Sequence, residues 1–468
     1  MIFVIRWIDV LKSFLTVVLL VASPLIAADV QFTGSIRARA ENWRFFETPN
    51  RDDQYRFFAY LLRVSAAQQR KGWAWQFEVA QPTLVGLPSN AIAPAPQGQL
   101  GIGASYFAAN GDSDVAGIFF RQAFVDLKRP SDSFRFGRFE FIEGSEALPK
   151  NPMLAAIRQQ RVAHRLIGNF AFSHVQRTAD GVQYTHTSPT TTWMAAAFRP
   201  TVGSLRVHGG DNLDIGVAYG SMTRAMPNAD ARLFVILYRD HRDVLKTDNR
   251  PAAVRRADTD DIAISTVGGH WLAAHGNSEV LVWGALQGGR WGSDDHKAAE
   301  LDLEGGYHWP TPKKPVLRAG LFVSSGDDDP NDGDHETFFQ MLPTPRIYAR
   351  FPFYNAMNST DSFVQFSIKP TAKVTLGAEA HTLRLSEKND LWYSGGGAFE
   401  DNSFGFAGRP SGGSDELART IDLSADYAPN PKTTMILYAG IARGGDVVRS
   451  IFAGRSGRLI YFEVTRKF

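Results

Sequence analysis

Polar and apolar residues alternate with a period of two along most of this 468-residue chain, a pattern typical of strands with two unlike faces. In residues 32–41, for example, Arg37 and Arg39 fall on one face while Ile36 and Ala38 fall on the other. Residues 300–305 alternate acids with leucine or glycine in the same way. Because soluble β-sandwiches alternate too, the pattern alone predicts an all-β fold without choosing its architecture.

The spacing of the alternating segments favours a closed barrel in a membrane. We expect 18 strands, at 32–42, 56–68, 73–80, 117–128, 133–140, 181–187, 192–199, 213–220, 231–239, 262–271, 278–287, 300–308, 316–323, 361–369, 373–385, 417–427, 433–441 and 458–467. Long connections alternate with short turns without exception, the long ones at 43–55, 81–116, 141–180, 200–212, 240–261, 288–299, 324–360, 386–416 and 442–457. Outer-membrane barrels have an even number of strands, short periplasmic turns and long extracellular loops. The sequence therefore predicts an all-β, 18-stranded antiparallel transmembrane β-barrel, with one loop carrying a short helix.

Composition excludes several other classes of protein. The chain has no cysteine, so disulfides, thiolate metal sites and cysteine nucleophiles are excluded. A net charge of +2 from 50 basic and 48 acidic residues is too small to indicate nucleic acid as a partner. With 21% charged and 44% hydrophobic residues, the chain is typical of a folded protein.

The two ends of the chain indicate export to the outer membrane of a Gram-negative bacterium. Residues 1–28 have the order of a secretory signal peptide: basic residues, an apolar run at 13–22, then Pro24 and small residues. The rival interpretation, a membrane anchor, requires a longer apolar stretch. Residues 460–468 alternate and end in Phe468, which resembles the signal by which the barrel assembly machinery recognises its substrates. We therefore expect residues 29–468 to form a single barrel in contact with outer-membrane lipid and lipopolysaccharide.

The third long connection contains the strongest candidate for a pore constriction. Asn151 and Pro152 are a typical N-cap and first position of a helix. Within that helix Arg158, Arg161 and Arg165 are three and four residues apart, which places them on one face. Folded into the lumen, they would form a positive stripe that guides anions; the alternative is a solvated helix on the extracellular rim.

Arginines within the strands extend this interpretation. A charge facing lipid costs about 2–4 kcal/mol at the membrane midplane, so most strand arginines are expected to face the lumen. They are Arg37, Arg39, Arg63, Arg121, Arg138, Arg318 and Arg384. There the planar guanidinium suits carboxylates of a substrate. The alternative is that they pair with acids of the barrel wall, such as Glu78 and Glu140.

An acidic run in residues 327–334 offers oxygen ligands at two-residue spacing through Asp327, Asp329 and Asn331, which suits Ca²⁺. It lacks the glycine spacing and distal glutamate of an EF-hand loop. The alternatives are a solvated loop or pairing with Arg346 and Arg350. No other cofactor is expected.

Three stretches resemble the alginate-export family of outer-membrane barrels. They are residues 137–141 (GRFEF), residues 165–168 with 177–183 (RLIG and RTADGVQ), and residues 324–329 with 338–346 (SSGDDD and FFQMLPTPR). The resemblance implies an 18-stranded barrel with an arginine-rich conduit for an anionic uronate polymer. The matching polar positions are Arg138, Glu140, Arg165, Arg177, Asp180 and Arg346.

No catalytic motif is present: the chain has no Gly-x-Ser-x-Gly elbow, His-Glu-x-x-His pair or glycine-rich phosphate loop. We therefore predict a passive channel rather than an enzyme, with an anionic polysaccharide or oligosaccharide as its partner. Candidate substrate-contacting residues are Arg63, Arg121, Arg138, Glu140, Arg158, Arg161, Arg165, Arg177, Arg346 and Arg350. Two alternatives stay open: a general or organic-acid-selective porin, and an outer-membrane carbohydrate-active enzyme.

Overall fold

The computed structural model describes residues 29–344 and 350–468. The expected signal peptide at 1–28 and the candidate residue Arg346 lie outside these residues. No helix in the described part of the chain is long and apolar enough to cross a membrane.

Eighteen antiparallel strands form one closed barrel, as expected. They are β1 Gln31–Arg44, β2 Gln54–Arg70, β3 Trp73–Val85, β4 Phe119–Lys128, β5 Asp132–Phe139, β6 Ala179–Thr187, β7 Thr191–Pro200, β8 Ile215–Ala225, β9 Ala229–Asp240, β10 Ile262–His275, β11 Ser278–Trp291, β12 Asp294–His308, β13 Val316–Ser324, β14 Thr360–Thr371, β15 Val374–Arg384, β16 Glu416–Asn430, β17 Thr433–Gly444 and β18 Ser456–Lys467. Each pairs with the next, and β1 pairs with β18 from Ser35↔Lys467 to Arg44↔Arg458, which closes the sheet without an exposed edge.

The period-two alternation separates a polar interior from an apolar exterior. On β12 the side chains of Glu300, Asp302 and Glu304 are buried in the lumen, while Leu301 and Leu303 between them are 47% and 42% exposed on the outside. Large apolar side chains are exposed in the same way on other strands, including Leu233, Val267, Leu286 and Ile441. This band is the surface that faces lipid.

One rim carries the long connections, which we call L1 to L9 in chain order. They cover residues 45–53, 86–118, 140–178, 201–214, 241–261, 292–293, 325–359, 385–415 and 445–455. L6 was expected to be long, over residues 288–299, and this is wrong: Trp291 pairs directly with Asp294 around a two-residue turn. The polar residues after the turn continue the strand alternation, and Gly292 adopts the positive φ of 62° that the turn requires.

The loops carry more regular structure than the single short helix expected. The helices are α1 Ile102–Asn110 in L2, α2 Pro152–Ile157 in L3, α3 Ala252–Ala257 in L5 and α4 Asp446–Ile451 in L9. L8 forms a hairpin in which Leu391–Gly395 pairs with Phe406–Pro410. Aromatic side chains of the loops pack together inside the barrel mouth, for example Phe46 against Phe353 and Trp392. The loops therefore fill the upper lumen.

Candidate translocation path

L3 enters the lumen through the helix that the sequence predicted. The side chain of Asn151 accepts a hydrogen bond from the Met153 backbone amide at 3.0 Å, and Pro152 takes the first helical position. Helix α2 continues into one π-helical turn, Arg158–Val162, and Ala163 is extended, so the prediction that Arg165 shares a helix face with Arg158 and Arg161 is wrong. Its arginines contact side chains on the lumen face of the barrel strands, so this segment lies against the inner wall.

The three arginines of L3 anchor the loop to that wall. Arg158 is fully buried and forms an ion pair with Asp230 on β9. Arg161 donates to both carboxylate oxygens of Glu304 on β12, with the shortest N···O distance 2.7 Å. Arg165 pairs with Asp302 on the same strand. The expected open positive stripe is therefore absent, because each guanidinium is neutralised by an acid of the wall.

L7 joins L3 in a partition that we call the plug, residues 158–176 of L3 and 338–344 of L7. The backbone amide of Gly168 donates to the Leu342 carbonyl at 2.7 Å, and the Leu342 amide donates to the Leu166 carbonyl at 2.8 Å. On β11, the Gln287 side chain holds both the amide and the carbonyl of Phe339, at 2.8 and 2.9 Å. The plug is thus hydrogen-bonded both internally and to the barrel wall.

Arg177, matched through the family resemblance, connects three loops. Its guanidinium donates to the carbonyls of Gly168 in L3, Pro343 in L7 and Gly397 in L8, at 3.1, 2.9 and 3.3 Å. Burial lowers the pKa of Arg177 to about 9. Its contacts are those of a structural clamp, since all three acceptors are backbone oxygens of the loops.

Across the lumen, arginines on β1 and β2 contact the far end of the plug. Arg37 donates to the Ala171 carbonyl at 2.6 Å and to the Ser173 carbonyl, while Arg39 donates to the Phe172 carbonyl. Arg39 is also paired with Glu463 at 3.1 Å and Glu41 at 3.4 Å.

Arg63 is half-buried on the lumen face of β2. Its nearest acceptors are the Gln176 amide oxygen at 3.4 Å and the Ser35 hydroxyl at 3.3 Å. It forms no ion pair with any residue that the structure describes. Arg37, Arg39 and Arg63 together form what we call the β1–β2 arginine row.

Arg121 and Glu140 belong to a second lumen cluster. Arg121 is fully buried between Glu78 at 2.6 Å and Glu140 at 2.5 Å. Asn169 of the plug donates to Glu140, which ties this cluster to L3 as well. One guanidinium thus joins two carboxylates of the wall, and the charges of both glutamates also act on the nearby Arg63.

The prediction that Arg138 faces the lumen is wrong, because its side chain faces outward. It lies on the same face of β5 as Phe134 and Phe136, which are 50% and 46% exposed. The Nε and Nη2 atoms of Arg138 donate to the two oxygens of the Asp180 carboxylate, at 2.7 and 2.6 Å. Because β5 ends at the loop rim, this charge avoids most of the cost of burial in lipid, which falls to about 0–1 kcal/mol near the interface.

The remaining candidate residues are Arg350 and those of the acidic run, 327–334. Arg350 is half-buried and lies in the field of Glu379 and Asp426, two acids of the barrel wall. Asp327 and Asp329 accept backbone amide hydrogen bonds from Asp329 and Asn331, at 3.2 and 3.0 Å.

Asp327 is buried beside Asp390 of L8, whose carboxylate accepts the Asp327 amide hydrogen at 3.1 Å. Burial and the neighbouring Asp390 charge raise the pKa of Asp327 to about 7. Among described residues, the one group of three acid or histidine ligand atoms within 4.8 Å of one another is Glu379, His381 and Asp422, on the barrel wall. Calcium binding at the acidic run stays a prediction, which calorimetric titration of wild type and Asp327→Asn would test.

Sequence reasoning did not single out a cavity of about 340 Å³ at the loop rim, which we call the vestibule. Phe172 of the plug lines it, together with Phe353 of L7 and Arg206 of L4. An acid, Glu400 of L8, lies 2.9 Å from Arg206, and burial raises its pKa to about 7. Because Phe172 also accepts a hydrogen bond from Arg39, the vestibule meets the β1–β2 arginine row at the plug. Its contributing loops are far apart in sequence, so no local motif predicted it.

A protein-family model for alginate export matches residues 28–461. The chain belongs to the alginate-export family. The predicted resemblance is confirmed, and with it an outer-membrane channel of a Gram-negative bacterium rather than an enzyme. The loop rim is accordingly the extracellular rim.

Solved structures with the same fold are outer-membrane porins of Pseudomonas aeruginosa. OpdK has a TM-score of 0.55 at 10% identity, covering 94% of this chain and 99% of its own. OccK2 (OpdF), solved in complex with glucuronate, has a TM-score of 0.55 at 8% identity, covering 94% and 98%. OpdK has also been solved with vanillate, at a TM-score of 0.54, 10% identity and coverage of 94% and 98%. No curated protein sequence matches this chain.

Proposed function

We propose that this barrel conducts anionic sugars, with uronate polymers or oligomers as cargo, and that the β1–β2 arginine row guides their carboxylates past the plug. The observation that carries the proposal is which hydrogen-bond acceptors the guanidinium groups of this row contact in the structure. Arg37 and Arg39 donate to three consecutive backbone carbonyls of L3 and also share an ion pair with Glu463. Arg63 has no ion pair among the described residues and reaches only neutral oxygens.

Neutral carbonyls are weaker partners for arginine than carboxylates are. A carboxylate adds the attraction between opposite charges to the hydrogen bond, and it accepts two parallel N–H bonds from one guanidinium. A uronate carboxylate that displaces L3 therefore gains stronger contacts than the carbonyls it replaces. Residues 171–176 act in this scheme as a gate whose closed state is stabilised by the same arginines that bind the cargo.

The vestibule suits a sugar at the entrance to this path. Its volume lies at the low end of small-ligand sites, and it combines aromatic walls with a few polar groups. Uronate cargo is also supported by the family, whose description is alginate export, and by the glucuronate bound to OccK2, a barrel of the same fold.

A second candidate is a channel for small organic acids. The observation that favours it is the vanillate bound to OpdK, since vanillate is an aromatic carboxylate and the vestibule has aromatic walls. Both candidates require anion selectivity and differ in the cargo.

Planar-bilayer recording separates them. We expect a reversal potential showing anion selectivity, and current block by oligouronates at concentrations where neutral oligosaccharides of equal length have no effect. Stronger block by vanillate than by oligouronates would favour the organic-acid channel. Cation selectivity, or equal block by neutral and acidic sugars, would contradict both.

A further inference from the structure

A cleft on the outer surface of the barrel, at the extracellular rim, is lined by four arginines. Arg384 ends β15 and faces outward rather than into the lumen as expected, Arg419 lies on β16, Arg443 on β17 and Arg455 in L9. The cleft has a volume of about 310 Å³. Strand register brings these residues together, because Arg419 lies directly opposite Arg443 in the sheet.

The four arginines outnumber the acids at the cleft by two. Arg384 pairs with Asp415 at 2.7 Å, and Glu416 is the acid within the cleft itself. The other three arginines form no ion pair or side-chain hydrogen bond with any residue in ranges 29–344 and 350–468. They differ in this from the arginines of the lumen wall, such as Arg121 and Arg318, which lie between acids.

The cleft lies at the upper edge of the lipid-facing band. Arg419 shares its face of β16 with Ile421 and Leu423, which are 59% and 54% exposed. Arg443 similarly shares its face of β17 with Ile441 and Leu437, 59% and 53% exposed. The arginines therefore occupy the level at which acyl chains give way to headgroups in the outer leaflet.

We propose that this cleft binds the phosphate groups of lipopolysaccharide, with the lipid A acyl chains lying on the apolar band below it. Phosphate oxygens accept paired hydrogen bonds from the planar guanidinium, which makes arginine the preferred side chain for such contacts at an interface. A phosphorylated lipid contacts both the arginines of the cleft and the apolar band below them. A soluble phosphate contacts the arginines alone. This site is separate from the lumen and does not depend on which cargo the channel carries.

Native mass spectrometry of the full-length protein, titrated in magnesium-free detergent with bis-phosphorylated lipid A, tests the proposal. We expect the R419Q/R443Q/R455Q variant to bind lipid A at least about tenfold more weakly, as is typical for the loss of hydrogen bonds to charged groups. Lipid A without its phosphates should bind wild type as weakly as the variant binds the phosphorylated lipid. The variant Glu416→Gln, which removes the acid of the cleft, should bind lipid A more tightly than wild type.

Arg199 supplies the matched control, because it is an exposed rim arginine already paired with Asp214 at 2.8 Å. Its replacement by glutamine should leave lipid A binding unchanged. Heat-modifiable gel mobility reports whether each variant forms the barrel, and Glu416→Gln provides an independent test if the triple variant does not fold. Unchanged binding in the folded triple variant, equal binding of dephosphorylated lipid A, or tight binding of inorganic phosphate alone would overturn the proposal.

Discussion

The guanidinium of Arg161 in L3 lies 2.7 Å from the carboxylate of Glu304 on β12, joining the plug to the barrel wall inside the lumen. Glu304 also accepts from Arg318 of β13 at 2.9 Å, so one buried acid holds both the loop and the neighbouring strand. A buried charge that loses its partner is strongly unfavourable, whereas the strands are closed by backbone hydrogen bonds independent of this contact. Stability of the plug and stability of the barrel are thus separable.

Replacing Glu304 by glutamine tests this separation. We expect the plug to loosen by about 3–5 kcal/mol, the usual cost of breaking a buried ion pair by removing one partner. Hydrogen exchange should increase in residues 158–166, and single-channel conductance should rise, while the barrel keeps its heat-modifiable mobility. The control is Arg290→Gln, which breaks an exposed pair with Asp295 and should leave both readouts unchanged. Unaltered exchange in residues 158–166 would contradict the anchoring role.

Arg177 allows a second test of the stability of the plug, because it contacts backbone carbonyls of three loops. Lysine keeps the charge but lacks the planar fork, so Arg177→Lys should lose at least one contact and destabilise the loop assembly by about 1.5–3 kcal/mol. We expect hydrogen exchange to become faster in all three loops, at the amides of Gly168, of Gly397 and of the residues next to Pro343. An increase in one loop alone would mean that the loops are not coupled through this side chain.

The strands were predictable because the alternation that defines them is local. Each lipid-facing residue is two positions from the next, so the pattern is visible in a window of about ten residues. L6 escaped prediction because its flanking residues, 294–299, are rich in charge and yet continue the strand alternation beyond the membrane. Charged residues are typical of loops as well, so composition does not separate a loop from a strand that extends beyond the membrane.

The partners of the arginines were not predictable, because Arg158 and Asp230 are 72 residues apart and meet only after L3 enters the lumen. The N-cap and the start of the L3 helix depend on neighbouring residues and are predicted correctly, whereas the helical segment ends at Val162, before Arg165. Whether its arginines are free or paired depends on two distant strands, β9 and β12. The outward orientation of Arg138 is not predictable from the sequence, because the cost of an outward charge depends on its depth in the membrane, and β5 ends beside Arg138 at the rim.

Glu400 makes the vestibule sensitive to pH near neutrality. Burial raises the pKa of this carboxyl to about 7, so lowering the pH from 8 to 6 protonates it and leaves the positive charge of Arg206 less compensated. We expect oligouronate block to strengthen over this interval, by up to about tenfold if the full charge contributes to binding. In Glu400→Gln, block should be strong at every pH and should lose this pH dependence. A wild-type pH response in that variant would assign the titration to another group.

The contrast between Arg63 and Arg138 tests whether the lumen arginines select anions. Arg63 is half-buried in the lumen without an ion pair among the described residues, whereas Arg138 faces outward and is paired with Asp180. Low-dielectric walls strengthen the field of a charge inside the pore, while salt screens a charge on the outer rim within about 8 Å at physiological ionic strength. Arg63→Gln should therefore move the reversal potential toward cation selectivity and weaken oligouronate block, and Arg138→Gln should change neither. Equal effects of the two substitutions, measured in bilayers under the same salt gradient, would show that selectivity does not arise at the β1–β2 arginine row.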